Sequence, residues 1–187
     1  MRRLTRRMLG GFLVLGASLA VAATAPVHIV LPGRGEVVLA VPSGWAPTRA
    51  PGAEPEAPTA SLKESSGRPF HVDVTVFPSG SAAATRADPA RVRRFVAEAA
   101  KAAQSQSVEK TLAIREVPGA SGRGYYFLAT DRAPAPGEWK FMTQGALGVG
   151  GALVVFTILT NDGQDEIAAA ALEMVRRATF QPPATST

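Results

Sequence analysis

The groups that could move protons or hold a metal are few and scattered. The chain has two histidines, His28 and His71, and no cysteine. Without cysteine there is no disulfide, no thiolate metal site and no cysteine nucleophile. Lipid attachment at a cleavage-site cysteine is excluded for the same reason. The histidines lie in different apolar-alternating segments, at no fixed spacing to a serine or to a further ligand. Gly-x-Ser-x-Gly and His-Glu-x-x-His are both absent. Gly33-Arg34-Gly35 is not a phosphate loop, because no Gly-Lys-Ser/Thr comes after it. His71 and Asp73 are two apart in an alternating run, so they share a face and could meet a metal or a proton. A metal needs three or four ligands, so the pair reads first as a polar sheet face. No catalytic, cofactor-binding or metal-ligating residue is assigned.

Two other groupings offer binding rather than catalysis. Arg86, Arg91, Arg93 and Arg94 gather about the start of a helix. There, backbone amides and guanidinium groups together could hold an anion. The competing reading is a solvated face with Arg94 paired to Glu98 at i, i+4. The segment Asp131-Arg132-Ala133-Pro134-Ala135-Pro136-Gly137-Glu138 leads into Trp139. Its prolines stiffen it, and stiff loops carrying aromatics are common recognition surfaces. Asp131, Arg132, Glu138 and Trp139 are therefore a candidate partner-contact loop. The alternative is a plain connector with Trp139 covering the end of the core.

These residues need elements to position them. Val27–Val41 carries two apolar runs around Pro32-Gly33-Arg34-Gly35, a hairpin signal. The prolines of Ala46–Pro58 predict an extended surface loop. Thr59–Glu64 reads as a weaker strand. Phe70–Phe77 is the clearest one, with Phe70, Val72, Val74 and Val76 on one face and His71, Asp73 and Thr75 on the other. Asp88-Pro89 opens a helix as N-cap and first helical residue. Val92, Phe95, Val96, Ala99 and Ala103 form its apolar stripe. Strands are expected at Thr111–Glu116 and, centrally, at Arg123–Asp131. Trp139–Val149 and Leu153–Thr160 should pair as a hairpin turning at Gly148–Gly151. A second helix runs from Gln164 to Arg177, with its acids first and its arginines last, as the helix dipole prefers. Strands in blocks, with two helices between and after them, predict an α+β fold: one antiparallel β-sheet with two main packed helices.

The N-terminus predicts export. Arg2, Arg3, Arg6 and Arg7 precede the apolar run Met8–Val21, and Ala20-Val21-Ala22 suits a signal peptidase. The expected organisation is a signal peptide over 1–22, a single α+β domain over 23–180 and a disordered tail over 181–187. Four positive charges of the formal +5 are those arginines, which leaves +1 on the processed chain. So balanced a charge gives no footprint for nucleic acid. No later segment is long and apolar enough to span a bilayer. Localisation is expected to be periplasmic or secreted, with no stable membrane insertion after cleavage.

The early strand closing in Val41-Pro42-Ser43-Gly44-Trp45, the run Gly124-Tyr125-Tyr126-Phe127, the hairpin ending Phe156-Thr157-Ile158-Leu159-Thr160 and the helix running into Ala178-Thr179-Phe180 together resemble the PsbP-like α/β sandwich, a group that includes the DcrB-like envelope proteins. The resemblance implies an accessory or binding role and carries over no catalytic or ligand residue. The expected function is an exported, soluble, non-enzymatic accessory or binding protein of the cell envelope, with an envelope protein as partner and no cofactor. Two alternatives stand beside it. One is a carrier of a small apolar ligand in a cavity between sheet and helix. The other is a hydrolase, which a cluster of Asp, His and Ser in a cleft would support.

Overall fold

A computed structural model describes residues 26–48, 57–64, 67, 69–78 and 88–183. The apolar runs at the start form β1 (Val27–Leu31) and β2 (Gly35–Leu39), antiparallel with Ile29 opposite Val37. Arg34 N–H donates to the Leu31 carbonyl at 2.9 Å across the turn, where Gly33 takes φ 70°. β3 (Trp45–Pro47), β4 (Thr59–Glu64) and β5 (His71–Phe77) come next, then helix α1 (Pro89–Ala103). Asp88 caps α1 by accepting from Ala90 N–H, and Pro89 opens it. Strands β6 (Arg115–Pro118), β7 (Arg123–Thr130), β8 (Phe141–Val149) and β9 (Ala152–Thr160) precede helix α2 (Asp165–Arg176) and β10 (Thr179–Gln181).

The fold is α+β and antiparallel throughout, but its strands divide into two sheets. One has the order β3-β4-β5-β9-β8-β7-β6 and the other β1-β2-β10. The single sheet expected from the sequence is thus split. The reason lies in the first hairpin. Val27, Ile29, Leu31, Val37 and Leu39 are buried and pack across the core, so the hairpin is a lid over the large sheet rather than its continuation. The free edge of β2 is taken by β10.

Alternation then makes two cores on opposite faces of the large sheet. Val72, Val74, Phe156 and Ile158 face the small sheet and α2. Phe127, Ala146 and Leu153 face the α1 stripe of Val92, Val96 and Ala100. Other expectations shift. The strand expected over 111–116 lies at Arg115–Pro118, because Leu112 and Ile114 pack into the α1 core from irregular backbone and pairing begins only where Arg115 meets Tyr126. β7 is next to an edge, not central, and Leu128 is exposed; β9 holds the centre. Trp45 begins a short edge strand that runs into the segment read as a loop. Gln181, assigned to a disordered tail, ends β10, while 184–187 and the signal segment 1–22 lie outside the described residues.

Candidate functional site

Helix α1 ends at Ala103, and the segment beyond it builds one wall of a site. The chain tightens into a 3₁₀ turn, Gln104–Gln106, and bridges from Ser107 to Asp131 at the end of β7. Val108 N–H donates to the Thr130 carbonyl and Arg132 N–H to the Gln106 carbonyl, both at 2.9 Å. The Glu109 carboxylate accepts from Thr130 N–H at 3.0 Å and from its hydroxyl at 2.7 Å. Burial pushes the Glu109 pKa up, but these bonds outweigh it, and the group titrates below its ordinary 4.5.

The loop from Asp131 to Trp139 is held by its own side chains. Asp131 Oδ1 accepts from Ala133 N–H at 2.8 Å, and Glu138 Oε2 from Ala135 N–H at 2.9 Å. Arg132 Nη2 donates to the Ser107 carbonyl at 2.7 Å. Asp131 N–H donates to the Lys140 carbonyl at 2.8 Å and closes the loop. Lys140 Nζ sits 2.8 and 2.9 Å from the two Asp162 oxygens. Arg132 and Glu138 are therefore struts of the loop as well as exposed charges, which the sequence did not disclose.

Between this loop and the end of α1 lies a groove of about 480 Å³. Ala129, Met142 and Leu159 line it from the sheet, and Ala103 and Gln106 from the helix end. Asp131, Glu138, Trp139 and Lys140 line it from the loop. Trp139 is half-buried and belongs to neither core. The core tryptophan is Trp45, 8% exposed, with its ring 4.4 Å from that of Phe70. Three of the four candidate contact residues thus line one cavity, and the fourth braces its wall. Met142 and Leu159 were missed because nothing in an apolar strand run marks which residue lies at an uncovered end.

The remaining candidates stay apart from the groove or outside the described residues. Arg91, Arg93 and Arg94 are exposed on α1, Arg86 lies outside the described residues, and Arg94 and Glu98 do not form the expected ion pair among them. His28 Nδ1 meets Glu36 Oε1 at 2.9 Å on the outer face of the first hairpin.

His71 and Asp73 do share a face, with His71 Nε2 3.0 Å from Asp73 Oδ2. Ser61, brought opposite Asp73 by the β4–β5 register, donates to Asp73 Oδ1 at 2.5 Å. A serine, an aspartate and a histidine therefore do assemble, but in the wrong order. A nucleophile needs the imidazole between hydroxyl and carboxylate, whereas here the carboxylate is in the middle. β5 is also paired along both edges, so its N–H groups are committed to ladders and do not stabilise an oxyanion. Among the described residues no three His, Asp or Glu side chains gather as a metal site requires, and no helix is long and apolar enough to cross a membrane.

No protein-family model matches the sequence, and no curated protein matches it. Solved structures similar to the chain include PsbP (CyanoP) from Synechocystis sp. PCC 6803, at 14% identity and a TM-score of 0.49, covering 89% of this chain and 99% of that one. They also include LpqN of Mycobacterium tuberculosis, a protein involved in cell envelope biogenesis, at 16% identity and a TM-score of 0.47, covering 84% of this chain and 90% of that one. A cyanobacterial PsbP thus stands among the structures similar to this chain.

Proposed function

We propose that the protein is exported to the periplasm or secreted, and acts as a non-enzymatic accessory or binding protein of the cell envelope through the groove beside Trp139. The observation that carries this reading is the groove itself. Its apolar floor is open to solvent at a loop fixed by hydrogen bonds of its own residues and their neighbours. A loop already ordered loses little entropy on docking. Tryptophan at the rim is the residue type most enriched among binding hot spots. Catalysis is no part of the reading, since the one Ser–Asp–His set among the described residues has its carboxylate in the middle.

An enclosed carrier of an apolar ligand fits less well where α1 meets the sheet. The void there, beside Phe95, Phe127 and Val155, is about 30 Å³, which is room for one water rather than a ligand.

Affinity capture from envelope extract tests the proposal, with wild type, Trp139→Ala and Trp139→Phe as baits. Trp139→Ala should capture at least about tenfold less partner, the scale of a hot spot, and Trp139→Phe should retain most of it. The melting temperature of Trp139→Ala should stay near wild type, because the ring is in neither core. Trp45→Ala, by contrast, should lose about 3–5 kcal/mol as a core aromatic does. Unchanged capture by Trp139→Ala would remove the groove from the contact surface.

A further inference from the structure

We infer that the groove receives a basic side chain, lysine or arginine, from an extended segment of the partner protein. The inference rests on the reading of the groove as the contact surface and adds the chemistry of what enters it. Ala103, Met142 and Leu159 offer an apolar bed, which suits the aliphatic stem of a long basic side chain whose charged head stays at the wet rim.

The rim carries a surplus of negative charge, with Asp131, Glu138 and Asp162 set against Arg132 and Lys140. Asp131 and Glu138 each use one carboxylate oxygen to hold the loop. Among the described residues, Asp131 Oδ2 and Glu138 Oε1 accept no hydrogen bond. The chain's nearby cations are already engaged. Lys140 is held by both oxygens of Asp162 and lies 5.2 Å from the Phe141 ring centre, and Arg132 is turned to the Ser107 carbonyl. An incoming cation therefore meets open carboxylate oxygens, and the net negative charge disfavours an incoming anion, although Arg132 keeps its charge beside the neutral Ser107 carbonyl.

Trp139 completes the chemistry. No cation of the chain lies over its ring and no acceptor meets its indole N–H among the described residues. The ring can face a guanidinium or ammonium group, and the N–H can donate to a carbonyl. That last demand favours a peptide over a free polyamine, which has no carbonyl to offer. A bare cation would leave the apolar bed unfilled.

The test is a chemical-shift titration of the exported protein, reading the Trp139 indole N–H, identified by its loss in Trp139→Phe. The probes are acetylated, amidated tripeptides with leucine on both sides of arginine, lysine, norleucine or glutamate. The arginine and lysine peptides should shift the resonance saturably, and the glutamate peptide should not. The double variant D131N/E138Q keeps an acceptor oxygen for the Ala133 and Ala135 N–H groups while removing both charges. It should bind the arginine peptide about fivefold more weakly and the norleucine peptide no differently. Added salt should weaken only the basic peptides. Equal affinity for arginine and norleucine peptides, or preference for glutamate, would overturn the basic side chain and leave the groove as contact surface. So would silence from every peptide while Trp139→Ala still loses partner capture. Failure of the contact surface itself reads out separately, as capture unchanged by Trp139→Ala.

Discussion

Glu109 ties the segment after α1 to β7 through a single carboxylate that answers both the amide and the hydroxyl of Thr130. That places a titratable group under the wall of the groove. Its folded pKa lies below the unfolded one, so its stabilisation is fully present above pH 4.5 and is lost as pH falls through the folded value. Glu109→Gln should cost about 1 kcal/mol at neutral pH, the solvent-screened end of the range for bonds to a charged group. The gap between variant and wild type should close in acid. Urea titrations at pH 7 and pH 3 check this; a gap of the same size at both would mean that the charge contributes nothing. The residue scale also shows where sequence reasoning stops. Asp131, Glu138 and Trp139 were legible as a loop worth watching because prolines and an aromatic are local signals. Glu109 and Ser61 were not, because their partners Thr130 and Asp73 are set by bridges and strand register between distant segments.

The elements were legible wherever period and punctuation agreed. The His71–Phe77 alternation, the Asp88-Pro89 helix start and the Gly150-Gly151 turn are all where the sequence places them. The division into two sheets was not legible, since the alternation of the first hairpin marks a buried face without saying whether it extends the large sheet or packs across it. Those edges are guarded in a shared way: Pro26 and Pro182 flank β1 and β10, and β3 and β6 end in Pro47 and Pro118. Proline withholds the N–H that a stray strand would need. The β8–β9 turn has a further task. Gly150 and Gly151 have φ of 55° and 89°, the left-handed pair that a two-residue hairpin turn demands. A Cβ on Gly150 would fall on the Phe180 side chain of β10. Gly150→Ala should therefore cost about 1–2 kcal/mol from backbone strain alone and should also loosen β10. Hydrogen exchange checks the second effect: Thr179–Gln181 amides should exchange faster in the variant, and unchanged protection would show that the turn does not seat β10.

At the scale of the whole molecule, one large sheet carries a core on each face, so no disulfide is needed to hold the chain together. The sequence assigns the first 22 residues to export, and the fold bears on where a cut could fall. β1 starts at Val27, and Val27 and Ile29 are buried in the larger core. A peptidase cutting after Ala22 or Ala23 leaves a few residues ahead of the strand, ending in Pro26, which has no N–H to lose from a ladder. A cut beyond Val27 would remove core surface, and Ile29 alone contributes roughly 1.5–3 kcal/mol through its burial. The fold thus sets one bound, since any cut before Val27 leaves the core whole, and the position after Ala22 or Ala23 is the sequence's own expectation. Processing would also remove Arg2, Arg3, Arg6 and Arg7 and bring the formal charge from +5 to +1, so most of the basicity would leave with the removed segment. Intact mass of the protein recovered outside the cytoplasm should correspond to a start at Ala23 or Thr24. A chain of the full 19.4 kDa retained in the membrane fraction would show instead that Met8–Val21 is an anchor.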